Sequence, residues 1–389
     1  MKNKNLLLTV VLLFGIIVQH VNAQTTKTST TGANTITTGV PFLTIAPDSR
    51  SGAMGDAGVA ISPDINSQHW NPAKYAFIEN DMGIALSYTP WLRNLVQDIN
   101  LAYLVGFKRL DDKETMSASL RYFSLGDITF MSDNGDPTGQ QKPNEFAVDL
   151  GYTRLLSENF SGAVAIRYIR SDLTGGQMVG GVETHAGSTF ATDVAFYYQN
   201  QIRVNRKMST IAAGLNISNI GGKISYTDGA TKDFIPANMK LGVSYKTELD
   251  KYNTLTFAFD ANKLLVPTPR KDSIDIITGV TGSSKSVVAG IFSSFNDAPG
   301  GEKEEFKEIT FSLGAEYWYN KQFALRAGYF YEDPTKGNRK FFTAGAGLKM
   351  NVFALDFSYL LPVAQNNPLA NTLRFTLSFD FDAFNKQRK

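Results

Sequence analysis

Few residues in this 389-residue chain have the type and spacing to do chemistry. Of its three histidines, His20 lies in the first 23 residues, which read as a cleavable leader, leaving His69 and His185. They form no HExxH and no His/Cys cluster. Zero cysteines exclude disulfides, thiol catalysis and thiolate metal sites. There is no GxSxG elbow, and Gly221-Gly222-Lys223-Ile224 lacks the spacing and the Ser or Thr of a phosphate loop. Gly345-Ala346-Gly347 fails the dinucleotide pattern. Asp133-Asn134-Gly135-Asp136-Pro137 offers oxygens to calcium but lacks the alternating Asp spacing and the closing Glu, so it reads as a turn. Asp380 and Asp382 could serve a hydrolase, but a polar lumen carries such acids too. The sequence reads as non-enzymatic, with no cofactor and no metal.

The elements that carry these residues are strands. Leu373, Phe375, Leu377, Phe379 and Phe381 interleave with Arg374, Thr376, Ser378, Asp380 and Asp382. Strand side chains alternate between faces, so this segment has one apolar and one polar, partly charged face. In a membrane barrel the apolar face meets lipid and the polar face lines the lumen. Leu373, Phe375, Leu377 and Phe379 are therefore expected to face lipid. Other apolar faces are Ile99, Leu101, Tyr103, Val105 and Phe107; Met239, Leu241, Val243 and Tyr245; and Ile309, Phe311, Leu313 and Ala315. Opposing faces carry Arg121, Asp149, Arg167, Asp193, Lys240, Asp260, Glu316, Arg326, Lys349 and Asp356.

The pattern predicts strands at 83–89, 97–108, 115–124, 145–155, 160–170, 189–201, 208–217, 238–247, 253–263, 308–318, 322–332, 340–349, 352–361 and 372–382. Long loops (125–143, 171–188, 218–237, 264–307) alternate in phase with tight turns, as in barrels with long extracellular loops and short periplasmic turns. The fold class is all-β: a transmembrane antiparallel β-barrel of about 14 strands with an N-terminal plug or hatch. The even strand count places both termini on the periplasmic side. Any partner at the cell surface would have to use the four long loops. Within the longest, Glu302-Lys303-Glu304-Glu305 reads as a solvated face.

Lys2 and Lys4, the apolar run Leu6 to Val18, and Val21-Asn22-Ala23 read as a cleavable signal peptide over 1–23. A flexible Thr-rich leader (24–40), a plug (41–82) and the barrel (83–389) follow. No stretch is long and apolar enough for a transmembrane helix. A net charge of +2 gives nucleic-acid binding no support, and 12% aromatic residues suit interfacial girdles in outer-membrane lipid.

The plug is dense in small residues between Ser51 and Gly58, which permits close backbone approach. His69-Trp70-Asn71-Pro72-Ala73 has two readings. In one, Trp70 fills a core, Asn71 bonds within a turn and Pro72 sets the chain direction. In the other, the string gates the lumen.

Phe42 to Ala60, with Asp48, Arg50, Met54, Gly55 and Asp56, followed by Trp70-Asn71-Pro72-Ala73, resembles the start of the PorV (LptO) family. These are FadL-like outer-membrane barrels of the Bacteroidetes type IX secretion system. The resemblance extends over the mature chain in length, plug position, strand number and closing strand. It implies a non-enzymatic barrel that receives substrates from the SprA translocon. It would recognise their C-terminal signal domains and deliver them to an attachment complex containing the PorU sortase. The alternative is a FadL-type channel for small hydrophobic molecules.

Overall fold

In the computed structural model the described residues are 34–382, except 93–95, 97, 132–133, 136, 180–181, 229–231, 270–284 and 365–367. The expected signal peptide, most of the leader, Asp133 and Asp136 lie outside them.

The N-terminal segment begins with a 3-10 turn, Pro41–Thr44, followed by the short helices α1 (Ser49–Gly52) and α2 (Ser67–Trp70) and a second 3-10 turn, Pro72–Phe77. Among the described residues, eighteen strands follow. They are β1 (Met82–Pro90), β2 (Asn100–Arg109), β3 (Glu114–Ser124), β4 (Ile128–Met131), β5 (Pro137–Gln141), β6 (Asn144–Ser157), β7 (Phe160–Asp172), β8 (Met178–Val179) and β9 (Val182–Glu183). Next come β10 (Gly187–Val204), β11 (Lys207–Gly221), β12 (Asn238–Glu248), β13 (Asn253–Leu264), β14 (Ile309–Tyr319), β15 (Phe323–Tyr331), β16 (Lys340–Lys349), β17 (Phe353–Pro362) and β18 (Leu373–Asp380).

Fourteen of these close into one antiparallel barrel, each the neighbour of the next along the chain. β1 and β18 close it, in register from Gly83↔Asp380 to Tyr88↔Phe375. Closure leaves no free sheet edge, which is what a strand structure in lipid requires. Every barrel strand coincides with an expected one to within a few residues. The pairs β4–β5 and β8–β9 are separate two-stranded hairpins inside the long loops. Alternation over two to five residues is too short to register as a pattern. The longest loop also holds α3 (Val287–Ser293) and α4 (Glu302–Lys307).

On β18, Arg374 and Thr376 are buried inside, while Phe375 and Phe379 are exposed outside. Leu241, Val243 and Leu313 likewise point outward. β2 reverses the expected sense. Leu101, Tyr103, Val105 and Phe107 are buried, and Leu104 is exposed. Its apolar row packs on the N-terminal segment, with Phe107 stacked on Tyr75 at 5.3 Å and Tyr103 and Val105 against Ile65. Alternation gives the two faces of a strand; what lies inside the barrel decides which face turns in.

The segment runs from one barrel mouth to the other. Val40, Phe42 and Leu43 pack with Leu101, Phe123, Ile169, Ile224 and Ile235 at the long-loop end. At the short-turn end, Arg109 Nη1 donates to the Ile78 carbonyl at 2.9 Å, and β1 begins there. Asn34, the first described residue, donates its backbone N–H to Thr335 in the β15–β16 loop at 2.9 Å. Residue 34 and the end of β18 therefore lie at opposite ends of the barrel. The start of β1 and the end of β18 share the short-turn end, and the inserted segment crosses the lumen between there and Asn34.

Candidate functional site: the N-terminal segment and its seat

The segment organises itself locally first. Asp48 caps α1, one carboxylate oxygen accepting from Ser51 N–H at 2.9 Å and the other from Trp70 Nε1–H at 2.5 Å. Asn71 caps the second 3-10 turn, with Pro72 at its first position, where a missing N–H costs nothing. Asn71 Nδ2 also donates to the Val59 carbonyl, and to that of Phe196 on β10. The Pro72 and Ala73 carbonyls accept from Thr153 and Ser161 of the wall at 2.9 and 2.7 Å. Every residue of Trp70-Asn71-Pro72-Ala73 thus makes a structural contact.

Glycines allow the close approaches. Gly55 has φ +70, and a Cβ there would lie 2.6 Å from the Tyr329 backbone N. A Cβ on Gly328 would lie 2.1 Å from Gly55 N, so segment and wall meet backbone to backbone. A Cβ on Gly58 would fall 2.2 Å from the Trp70 ring. Met54 is fully buried with Ala57, Ile61 and Ala258.

Charge fixes the segment towards the short-turn end. Arg50 donates from Nε and Nη2 to the two Glu316 oxygens at 2.9 and 2.8 Å. Its Nη1 reaches Asp64 at 2.9 Å. Glu316 also accepts from Arg326 Nε at 2.7 Å, and Arg326 Nη1 holds Asp356 at 2.6 Å. Glu316 and Arg326 are direct cross-strand partners on β14 and β15. Beneath this network an open cavity of about 520 Å³ is lined by Arg50, Asp64, Lys246, Trp318, Arg326 and Asp356, among others. Asp56 lies 3.6 Å from Arg374 of β18. Across the lumen, Arg167 pairs with Asp149 at 2.5 Å and Asp193 at 2.9 Å, while Arg121 donates to the Leu43 carbonyl at 2.8 Å.

Lys74 is not legible from sequence as a site residue, and Asp260 is legible only as an inward charge. Lys74 is fully buried and donates to the Gly58 carbonyl at 2.8 Å. Asp260 accepts from the Gly58 and Val59 N–H groups at 2.7 and 2.9 Å. A charged residue within a small-residue plug was the available signal for Lys74; for Asp260, only register identifies the partner.

The long-loop rim has its own ionic cluster. Lys336 bridges Glu304 at 2.6 Å and Glu308 at 2.9 Å, and Lys263 bridges Glu308 at 2.7 Å and Glu305 at 3.0 Å. Burial works to raise the Glu304 carboxyl, yet the Lys336, Asn34 and Gly300 donors bring it down to about 2. Glu308 is lowered too: its Lys263, Thr268 and Lys336 hydrogen bonds outweigh burial. Glu304 and Glu305 are therefore structural ties, and Glu302 and Lys303 are the exposed residues of that run.

Residues 28–271 match the family model described as type IX secretion system protein PorV. The chain belongs to the PorV family. As a PorV-family barrel it is an outer-membrane component associated with the type IX secretion machinery. No curated protein matches it. Among solved structures it is similar to the toluene transporter TbuX of Ralstonia pickettii, at 12% identity over 85% of this chain and 97% of that one, TM-score 0.47. It is also similar to the Pseudomonas putida toluene transporter TodX, at 11% identity over 85% and 95%, TM-score 0.47. A Pseudomonas aeruginosa FadL homologue gives 11% identity over 90% and 100%, TM-score 0.42.

Among the described residues no group of three or more His, Cys, Asp or Glu could hold a metal ion. Chemically, the PorV-family site offers paired charges and packed small residues. Leu373, Phe375, Leu377 and Phe379 form an outward row on its last strand.

Proposed function

We propose that this PorV-family barrel is a non-enzymatic adaptor that receives exported proteins from the SprA translocon through their C-terminal signal domains. It then delivers them to the surface attachment complex that contains the PorU sortase. The family match over residues 28–271 carries this reading. Two features of the molecule support it. The lumen is occupied by a segment held to the wall by the buried Arg50–Glu316 pair and by Asp56 beside Arg374, so work is directed to the outer surfaces. The long loops 125–143, 171–188, 218–237 and 264–307, several with secondary structure of their own, offer a surface to protein partners. In this reading Asp48, Arg50, Met54, Gly55, Asp56, Trp70, Asn71, Pro72 and Ala73 form the plug. Leu373, Phe375, Leu377 and Phe379 face outer-membrane lipid, with the long loops outside the cell.

The test is a gentle detergent pull-down of tagged protein from native outer membranes, read by mass spectrometry. Recovery of a very large translocon with secreted proteins sharing a C-terminal domain supports the adaptor. Recovery of the barrel alone, together with normal surface attachment in a deletion strain, overturns it.

A further inference from the structure

The two ends of the inserted segment are held very differently. At the short-turn end the chain continues covalently into β1, and the Arg50–Glu316 pair locks it to the wall. At the long-loop end, residues 34–39 make their contacts with loops. Asn34 donates its N–H to Thr335 at 2.9 Å and its Nδ2–H to Glu304 at 3.1 Å. Gly39 donates its N–H to Phe234 at 2.9 Å. Between these points residues 34–39 have no regular structure, and Thr35 and Thr37 are exposed.

Three further observations make this end a fastening rather than a frayed tail. Glu304 is itself gripped by Lys336, which also holds Glu308, so Asn34 is tied to the charged cluster that fixes α4. Gly39 packs against Ile224, where a Cβ would lie 2.5 Å from the Ile224 side chain. Val40, where the run enters the lumen, sits at φ 48, a region a β-branched residue adopts only when its surroundings impose it. Immediately beyond, Val40, Phe42 and Leu43 make the apolar seal with Leu101, Phe123, Ile169 and Ile224.

We propose that residues 34–40 are a strap that closes the plug from the long-loop rim, with Glu304 and Lys336 as its clasp. A partner that draws α4 off the rim breaks the Asn34–Glu304 contact, frees the strained Val40 and opens the seal at Phe42 and Leu43. The Arg50 lock at the far end stays made. The plug thus opens from the loop side without leaving the barrel, whichever secretion partner binds there.

The chain has no cysteine, so one introduced thiol reports one position. Leu43→Cys is placed in the seal, and Ser67→Cys, also buried, near the short-turn end. The full-length barrel is purified in detergent and reacted with a polar maleimide, with and without Glu304→Gln. Glu304→Gln is expected to speed labelling of Leu43→Cys about ten-fold, by favouring local opening of the seal, and to leave Ser67→Cys protected. Unchanged labelling of Leu43→Cys overturns the clasp. An equal rise at both thiols overturns it too, since that is general loosening. Should Leu43→Cys fail to assemble, Ile224→Cys reads the same seal from the loop side.

Discussion

The Arg50 guanidinium grips both oxygens of Glu316, 266 residues away, at 2.9 and 2.8 Å. A bidentate pair of this kind fixes distance and orientation together. It is extended by Arg326, opposite Glu316 on the neighbouring strand, so one carboxylate answers two buried cations.

Glu316→Ala should leave two buried guanidinium groups side by side, Arg50 with Asp64 and Arg326 with Asp356 as their remaining carboxylates. Removing one partner of a buried pair costs about 3–5 kcal/mol. Urea unfolding of the detergent-solubilised barrel should show a lower midpoint, and Glu316→Gln, which keeps hydrogen-bond acceptance, a smaller drop. An unchanged midpoint in both would mean that the pair does not hold the plug.

Gly55→Ala and Gly328→Ala should each push the plug off β15. At Gly55 the positive φ adds backbone strain, about 1 kcal/mol or more where Ala cannot adopt the native conformation. Limited proteolysis of outer-membrane preparations should cut the plug faster in both variants. Equal cutting rates would show that the wall yields at this contact.

Trp70→Ala removes a buried ring, the hydrogen bond to Asp48 and the ring beneath the Lys240 ammonium, which sits 4.6 Å from its centroid. The expected cost is about 3–5 kcal/mol, with raised permeability to large antibiotics. Trp70→Phe should recover most of the stability, since it keeps the bulk. Full loss in Trp70→Phe would assign the effect to the Asp48 hydrogen bond instead.

Leu377→Arg should impair assembly, because an outward Arg near the bilayer midplane costs about 2–4 kcal/mol, and Phe379→Arg, at the strand end, should do so less. The readout is the folded fraction in outer membranes. On β2 the outward position to test is Leu104, not Val105. Normal assembly of all three Arg variants would mean that the outward row does not meet lipid.

The rim cluster should respond to acid. Glu304 and Glu308 are both depressed in the folded protein, Glu304 to about 2 from an ordinary 4.5. Groups lowered on folding bind fewer protons folded than unfolded, so their stabilisation is complete above pH 4.5 and fades as pH falls towards 2. Labelling of Thr37→Cys, already exposed, should hold steady relative to a free-thiol standard over that window, while protection of Leu43→Cys decays. In Glu304→Gln the decay should be shallower. A flat profile for Leu43→Cys would show that these carboxylates do not hold the rim.

The sequence by itself determined the number and positions of the barrel strands and the long–short phase of the loops. Period-two alternation is a local property, set by how successive side chains leave a pleated backbone. It also marked Ser51 to Gly58 as a place of close approach, because residues without bulk are legible one at a time. Only the tertiary structure decided which face of β2 turns inward, because that depends on Tyr75 and Ile65 arriving from the inserted segment. Only it decided that Arg50 meets Glu316 and that Gly55 meets Gly328. Partners hundreds of residues apart are chosen by barrel register, and one slipped residue would turn every inward charge to the other face. The same crossing of the lumen put Asn34 at the end opposite β18. Counting strands fixes where a barrel wall begins and ends; the path of a chain threaded through its middle follows from packing.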